Sequence, residues 1–539
     1  MLLVRQLRLA LGSGQQAAFA AAQKRLGVSP GQVAFAGVAR LSVDARRTPP
    51  VLVYSVALAL TDPAAEPALA GRPGVALLQR PAAQLLPQTA PARRLMHRPV
   101  VCGLGPAGLF CALALARQGY RPLVLERGPA LDGPGGRVQA VEAFLAGGPL
   151  SPDANIQFGE GGAGTFSDGK LTTRIGDAFC GLVTDTLLAH GAPPEIAWQQ
   201  RPHIGTDLLR GVILSMRKEL EALGGQVLFG TALTGLVQKN GRLAGVQTTA
   251  GPLPCEALVL AVGHSARDTF AMLAQSGLPL CCKPFSVGVR AEHLQTEIDK
   301  GLYHGAAGHP GLPPGEYQLS RRLPSFGGRC VYTFCMCPGG QVVPAASEMG
   351  GVVTNGMSLH ARNGPNANAA VVVSVDGADF GGDPLKAVAF QRGLEQAAFA
   401  AGGGGYAAPA ETLGSFLAGR GRLELGRVAP SYARGVRPAD LGGLLGDELS
   451  GALRAGLRAF GRMLPGYDAP DTVLTGPETR TSSPVRIPRG DTLEAEALPG
   501  LYPCGEGAGY AGGIVSAAVD GLRAARAILA GWQPPAGGG

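Results

Sequence analysis

The sequence predicts an α/β fold: a Rossmann-like domain with a parallel sheet and a β-meander, an inserted α+β domain, and a small N-terminal β-α-β-β module. A glycine-rich turn at residues 103–108 lies between a strand-like and a helix-like segment, and a second glycine cluster follows at residues 505–513. No second GxGxxG turn followed by a helix and an acid occurs between residues 283 and 470. The 539 residues, 46% of them hydrophobic, are sufficient for two or three domains.

The first 62 residues predict a small α+β module, because apolar extended segments alternate with an alanine-rich helical one. Residues 63–96 are rich in Ala and Pro, which predicts a connector with little regular structure of its own. The predicted elements of the module are a strand over Leu3–Leu9, a helix over Gln15–Leu26, and strands over Val33–Val43 and Val51–Leu60.

The glycine-rich turn at residues 103–108 predicts a dinucleotide site. It follows the apolar strand Val100–Cys102 and opens a helix. In such a turn Gly103 makes the tight bend, Gly105 lets backbone N–H groups approach a pyrophosphate, and Gly108 lets helix and strand pack closely. The next strand ends in Glu126, the carboxylate expected to hold the adenosine ribose. The predicted contacts of this half of the cofactor are Gly103, Gly105, Pro106, Ala107, Gly108, Glu126 and Arg127.

The C-terminal glycine cluster predicts that the dinucleotide is FAD. The flavin end of FAD lies far from the adenosine, so another part of the chain has to contact it. Leu501–Cys504 is typical of a strand that delivers Glu506, and a helix begins after Gly513. The free N–H groups and positive dipole of a helix start would stabilise negative charge on a reduced flavin. Together with two glycine-rich loops near residues 136 and 162, the further predicted FAD contacts are Gly136, Arg137, Gly162, Gly164, Gly263, His264, Gly505, Glu506, Gly512, Gly513 and Ile514.

These motifs predict a cofactor domain in two parts with an insertion between them. The first part covers residues 97–272 and ends after a buried strand over Ala257–Val262. Residues 273–470 contain strand-like and helix-like segments and predict an inserted substrate or cap domain. Residues 471–532 are expected to return to the cofactor domain.

Hydride transfer to a flavin needs few catalytic side chains, because the cofactor supplies the chemistry. Lys170 is either a group that stabilises reduced flavin or a solvated loop lysine. Cys335 and Cys337 are either a dithiol that exchanges electrons with flavin or two small buried residues, since an extended backbone directs the thiols of a CxC pair to opposite faces. His264 is either an acid–base group or a backbone or phosphate contact, and Arg480 is either an anion-binding group or an ordinary loop arginine.

Composition argues against several other classes of protein. Ten cysteines are too few for a disulfide framework in a chain of this length, and neither Cys281-Cys282 nor the CxC pair has partners at zinc-site spacing. We therefore predict no metal. The longest uncharged apolar stretch, Val100–Ala116, is broken by glycines where the fold needs a turn. No transmembrane helix is predicted, and the cytoplasm is the expected compartment.

The net charge of +8 belongs to residues 1–97, which hold eleven Lys or Arg and three acids. Such a basic module suits nucleic acid, an acidic partner or a membrane surface, or is an arginine-biased solvated face. No aromatic stacking platform is interleaved with these arginines, which argues against nucleic acid. We expect a small-molecule substrate and no membrane partner, and no oligomeric state follows from the sequence.

Five stretches of the chain resemble the FAD-dependent dehydrogenase family of flavoproteins, within the glutathione-reductase-like FAD/NAD(P)-binding superfamily. The resemblance covers nearly the whole chain. It implies FAD and a redox role, and it implies no substrate. The stretches that carry it are Gly161–Leu171, Val262–Asp268, Phe334–Gly340, Gly476–Pro484 and Cys504–Gly513.

Two classes of function remain open from the sequence. The first is an FAD-dependent oxidoreductase that transfers a hydride through the flavin N5 atom, with NAD(P)H as a transient reductant and with a flavin-dependent hydroxylase as a lesser variant. The second is an FAD-containing binding or sensing protein whose basic N-terminal module recruits nucleic acid or an acidic protein.

Overall fold

The N-terminal residues form a four-stranded antiparallel sheet covered by one helix. The computed structural model describes residues 1–46, 48–78, 83–87 and 91–536. The elements of this module are β1 (Leu2–Leu9), α1 (Gln15–Leu26), β2 (Val33–Asp44), β3 (Val51–Leu60), α2 (Glu66–Leu69) and β4 (Val75–Leu77). The strand order is β2-β3-β1-β4, and the apolar face of α1 packs on the sheet.

Strand β4 lies inside the segment predicted as a connector with little regular structure. Its three residues pair with Leu2, Leu3 and Val4 along the free edge of β1. Composition does not predict this pairing, because the paired residues of β1 lie more than seventy positions earlier in the chain.

A parallel sheet with an antiparallel meander follows, as the sequence predicts. The elements between residues 100 and 275 are β5 (Val100–Cys102), α3 (Pro106–Arg117), β6 (Leu123–Glu126), α4 (Arg137–Leu145), α5 (Phe179–Ala189), α6 (Thr206–Ala222), β7 (Gln226–Phe229), β8 (Leu233–Lys239), β9 (Arg242–Thr248), β10 (Gly251–Pro254), β11 (Leu258–Leu260) and α7 (Arg267–Gln275). Strands β11, β5, β6 and β7 are parallel neighbours in that order. Strands β8, β9 and β10 form the meander.

The next two hundred residues, roughly, build a second sheet around its own core. The elements are β12 (Cys281–Cys282), β13 (Phe285–Leu294), α8 (Gln295–Tyr303), β14 (Ser320–Leu323), β15 (Arg329–Cys337), β16 (Gln341–Pro344), β17 (Thr354–Met357), β18 (Asn366–Val375), α9 (Pro384–Ala401), β19 (Ala408–Thr412), α10 (Leu413–Ala418), β20 (Val436–Pro438), α11 (Leu441–Leu445), α12 (Asp447–Met463) and β21 (Val473–Glu478). Seven strands pair in the order β14-β15-β18-β13-β21-β19-β20. Leucines of α12 join the same apolar core as β13 and β18.

Strand β21 differs from the sequence expectation, which assigns residues 471–532 to the cofactor domain. All six residues of β21 are buried, and it pairs with β13 on one side and β19 on the other. Strand β22 (Val485–Arg486) then pairs with β12, and the chain returns to the cofactor domain at β23 (Leu501–Pro503) and α13 (Ile514–Gly531).

The last strand completes the parallel sheet, whose full order is β23-β11-β5-β6-β7. Helix α13 then packs against α3, and a Cβ on Gly521 would overlap the backbone of Ala107. Segments nearly four hundred residues apart in the chain therefore share one core. Across the described ranges no helix combines the length and the apolar character needed to cross a membrane.

Candidate active site

A cleft opens where the parallel strands end and where α3 and α13 begin. Its volume is about 1520 Å³, with its open mouth included. Most of the residues predicted to contact FAD line it together. These residues are Gly103, Gly105, Pro106, Ala107, Glu126, Arg127, Gly162, Gly164, Gly263, His264, Glu506, Gly513 and Ile514, and the candidate catalytic residues Lys170 and Cys335 line it as well.

The glycine turn between β5 and α3 leaves no room for side chains at two positions. Gly103 has φ of 100°, and a Cβ there would overlap the carbonyl oxygen of Ala261. A Cβ on Gly108 would overlap the carbonyl oxygen of Gly103. Gly105 is the N-terminal cap of α3 and lies against the second glycine loop, residues 158–171, where a Cβ on Gly162 would be 3.0 Å from the Gly105 Cα. The turn therefore exposes backbone N–H groups to the cleft, as a pyrophosphate requires.

Glu126 ends β6 with its carboxylate at the bottom of the cleft. It accepts hydrogen bonds from the backbone N–H groups of Leu104 (3.0 Å), Gly128 (2.9 Å) and Gly159 (3.2 Å). A carboxylate offers about four lone-pair positions, so a ribose hydroxyl can still bind. The neighbouring Arg127 lies over the Phe158 ring, with its guanidinium carbon 4.5 Å from the ring centroid.

Arg137 is placed differently from its prediction as a cofactor contact. Its side chain is fully buried beneath the second glycine loop and does not line the cleft. Burial lowers its pKa to about 9, against the attraction of Glu126 and Glu160, so the guanidinium is charged at neutral pH. It donates to the backbone carbonyls of Asn155, Ile156, Gly159, Glu160 and Gly162. Arg137 thus holds the loop whose other side forms the cleft wall.

Four predicted glycine contacts also lie outside the cleft lining. Gly108 packs inside α3, and Gly136 caps the start of α4. Gly505 donates its N–H to Asp520 at 2.7 Å, and Gly512 donates to the hydroxyl of Ser516 at 3.1 Å. These glycines shape the turns that carry the lining residues.

Glu506 faces the far end of the cleft, beside the start of α13. Burial raises the pKa of its carboxyl to about 7, although the positive charge of Lys283 opposes this, and the N–H of Gly513 also lowers it. The charge of the nearby Cys335 also raises the pKa of Glu506. A carboxyl group that titrates near neutrality and faces a cofactor cleft is suited to exchange protons.

Lys170 is not a solvated loop lysine. Its ammonium donates to Asp168 at 2.6 Å, and the same carboxylate accepts from Arg362. Burial lowers the pKa of the Lys170 ammonium. The negative charges of Cys337, Asp168 and Cys335 have the larger effect, so the pKa of Lys170 is raised. Lys170 therefore brings a positive charge to the two thiols. The sequence motif around Lys170 contains Asp168 but carries no signal for the distant Arg362.

The CxC pair lacks the extended backbone on which the expectation of opposite-facing thiols depends. Strand β15 contains a bulge between Phe334 and Cys337, and Cys335 has φ of 47°. The left-handed residue rotates its side chain out of the strand alternation. The Cys337 thiol donates to the backbone carbonyl of Cys335 at 3.3 Å. The neighbouring Cys337 side chain, together with Lys170 and Arg290, lowers the pKa of Cys335 to about 6 against the effect of burial. The same interaction and burial raise the pKa of Cys337.

Replacing Lys170 by methionine is expected to raise the pKa of the Cys335 thiol from about 6 toward the ordinary value of about 8.5. Alkylation of Cys335 by iodoacetamide, quantified on its peptide across pH, measures this change, and at pH 7 the variant should react more slowly. The Lys170→Arg variant keeps the charge and should keep the low midpoint. Arg290 and Asp168 also face the thiol and are unchanged in both variants. An unaltered midpoint in Lys170→Met would contradict the assigned contact.

The surroundings of His264 and Arg480 indicate a structural role for both residues. Burial, followed by the charges of Arg480 and Arg267, lowers the pKa of His264 to about 3, so its ring is neutral. The Arg480 guanidinium donates to both oxygens of Glu395, at 3.1 and 2.9 Å, and to the hydroxyls of Ser265 and Ser347. Arg480 lines the cleft, but most of its donors are used inside the protein.

Glu395 joins Arg480 and Arg267 into a buried network that the sequence did not reveal. Arg267 donates to both Glu395 oxygens at 2.8 and 2.7 Å. Burial alone would raise the pKa of Glu395, but the two arginines lower it to about 2. The three residues lie on α7, on α9 and after β21, so only the folded chain brings them together.

The described residues contain no group of three or more His, Cys, Asp or Glu side chains placed to hold a metal ion. The residues of the cleft fit FAD instead. Two helix starts point into the cleft. The turn has glycine at the positions where a Cβ would overlap neighbouring backbone, and Glu126 ends the strand next to this turn.

Comparison with known proteins supports FAD as the cofactor. The family model described as "FAD-dependent protein, C-terminal domain-like" matches residues 284–481, and the model "FAD dependent oxidoreductase" matches residues 210–333. An uncharacterized protein of Clostridium beijerinckii is 49% identical over 433 residues, which is 80% of each chain. Protein FixC of Escherichia coli strain K12 is 26% identical over 210 residues, which is 38% of this chain and 44% of FixC.

Among solved structures, glycine oxidase from Bacillus cereus is 10% identical and matches 81% of this chain and 98% of its own, with a TM-score of 0.33. The family models and the relative that matches four-fifths of the chain are the findings that define the family. The chain belongs to the family of FAD-dependent oxidoreductases.

Proposed function

We propose that the protein is an FAD-dependent dehydrogenase that removes two electrons from a small organic substrate as a hydride. FAD, when bound, supplies the hydride-accepting chemistry. The observation that carries the proposal is the meeting of two helix starts, at Gly105-Pro106 and at Gly513-Ile514, in one cleft with Glu506 and Lys170.

Different residues along the cleft would contact different parts of FAD and the substrate. The start of α3 would bind the pyrophosphate, and Glu126 would accept hydrogen bonds from the adenosine ribose. The start of α13 would stabilise negative charge at the flavin end. Glu506 would accept a proton from the substrate, and Phe334, with 39% of its surface exposed, offers the substrate an apolar contact beside Cys335.

Substrate-dependent reduction is expected to accelerate as the pH rises through about 7, because the Glu506 carboxyl must lose its proton to accept one. In the Glu506→Gln variant this rise should disappear and the rate at pH 8 should fall by roughly 100-fold, as for the loss of a general base. Rapid-mixing absorbance at 450 nm measures both. A Glu506→Gln variant that keeps the wild-type pH profile would remove Glu506 from this role.

The decisive experiment is an anaerobic titration of purified protein with electron donors, followed in the visible spectrum. Bleaching by NADH, NADPH or an organic donor, followed by turnover with oxygen or a dye, supports a dehydrogenase. A flavin that stays oxidised with every donor would instead favour the FAD-containing binding protein. Bleaching by NADPH only when an aromatic substrate is present would favour a hydroxylase.

The basic N-terminal module gives the binding-protein alternative little support. Arg25 donates to the carbonyl of Arg5, Arg72 donates to the carbonyl of Leu26, and Arg46 pairs with Asp44. Several of its charges are thus used within the module. We propose a small-molecule substrate as the partner of the cleft.

A further inference from the structure

We propose that Cys335 and Cys337 form a redox-active dithiol that passes two electrons to bound FAD and closes to a disulfide. The inference rests on the proposed function, because it needs FAD in the cleft that Cys335 lines. It adds a second two-electron centre to the site and gives the protein a thiol-based partner reaction.

The geometry places the two thiols in different positions relative to the cleft. Cys335 is half-buried and lines the cleft, whereas Cys337 is fully buried behind it. The bulge in β15 and the left-handed backbone of Cys335 bring the Cys337 thiol to 3.3 Å from the backbone carbonyl oxygen of Cys335. One sulfur can therefore face the cofactor while the other stays within reach to form the disulfide.

The backbone around the pair is fixed by Arg290. This arginine is fully buried, forms a bidentate pair with Glu478 at 3.0 and 2.7 Å, and donates to the carbonyl of Cys335 at 3.2 Å. It also donates to Asn368 on the neighbouring strand at 2.9 Å. A left-handed cysteine costs free energy, and this network holds it in place.

The charges around the pair favour one thiolate and one thiol. The neighbouring Cys337 side chain, Lys170 and Arg290 all lower the pKa of Cys335. Four other cysteines are buried without such partners, and burial raises the pKa of each: Cys102, Cys111, Cys255 and Cys504. Reactivity of a cysteine follows its thiolate form, so the CxC pair stands apart from these four.

The step balances without a further reactant. The Cys335 thiolate and the Cys337 thiol form one S–S bond, the S–H bond of Cys337 breaks, and one proton and two electrons leave. The electron pair and the proton pass to oxidised FAD. The reverse direction restores the thiolate and the thiol. Thiol–disulfide exchange with an external disulfide or dithiol at Cys335 would link this centre to a substrate of that class.

The test is reductive titration of the air-oxidised holoprotein with dithionite under argon, combined with mapping of the cysteine peptides by mass spectrometry. Wild-type protein should take up about four electrons per FAD, because flavin and disulfide are each two-electron couples. The Cys337→Ser variant should take up about two, and Cys281→Ser, which changes an exposed cysteine outside the cleft, should take up about four. In the oxidised wild type the Cys335 and Cys337 peptides should be disulfide-linked, and after titration both should alkylate.

The outcomes separate this inference from the proposed function. Holoprotein that binds FAD, accepts about two electrons and keeps both thiols free after oxidation would overturn the dithiol and leave the dehydrogenase intact. Protein that refuses FAD would overturn both. Peptide mapping of the wild type decides the question even where the Cys337→Ser variant fails to fold.

Discussion

Replacing Gly108 by alanine will weaken FAD binding at least 100-fold, which corresponds to about 2.7 kcal/mol. The new Cβ would overlap the carbonyl oxygen of Gly103, so α3 has to move away from the turn that precedes it. Its N–H groups then no longer face the pyrophosphate position. Titration of FAD-free protein with FAD, followed by quenching of flavin fluorescence, measures the loss.

The matched control is Gly211→Ala, which makes the same change at an exposed glycine inside α6. No heavy atom lies within 4 Å of a Cβ built on Gly211. Alanine exceeds glycine in helix propensity by about 1 kcal/mol, so this variant should bind FAD normally and melt slightly higher. Wild-type affinity in Gly108→Ala, with an unchanged circular dichroism spectrum, would contradict the assigned contact.

Replacing Arg137 by methionine is expected to destabilise the protein by about 3–5 kcal/mol. Five backbone carbonyls between residues 155 and 162 accept from this one guanidinium. Those of Gly159 and Glu160 also accept from other donors, and a buried acceptor that loses its only donor costs roughly 1–3 kcal/mol. Urea unfolding of the FAD-free protein measures the change. Limited proteolysis should also cleave the variant near residues 158–171.

Arg137→Lys tests whether charge or shape matters. Lysine keeps the charge but cannot reach five carbonyls with a planar fork, so most of the loss should remain. Arg174→Met removes an exposed arginine and should leave stability within about 0.5 kcal/mol of wild type. If Arg137→Met unfolds like Arg174→Met, the loop does not depend on this guanidinium.

The parts of the site that depend on short stretches of sequence were predictable. The turn at Gly103 to Gly108, the acid at Glu126 and the helix after Gly513 each need only neighbouring residues to be recognised. Their meeting in one cleft follows from the rule that ligands bind at the carboxyl ends of parallel strands. For this reason the cofactor prediction agrees with the family to which the chain belongs.

The features that the sequence did not predict depend on partners far away in the chain. Strand β21 joins the second sheet because β13, nearly two hundred residues earlier, offers it an edge. The left-handed Cys335 exists because β18 pairs with β15 on both sides of a bulge. In the sequence, Arg137 follows a glycine-rich loop and is therefore predicted to contact the ligand. Only the folded structure shows that its guanidinium donates to backbone carbonyls instead.

The sharing of one core by α3 and α13 has a consequence for how the protein is made. During synthesis the phosphate-binding turn emerges from the ribosome early. The last strand of the parallel sheet, β23, emerges only after more than three-quarters of the chain has been made. All strands of the seven-stranded sheet emerge before β23. The cofactor domain therefore stays partly assembled, with the outer edge of β11 unpaired, until β23 has been made. We expect nascent chains stalled before residue 500 to be targets for chaperones and to capture no flavin, however abundant the vitamin supply.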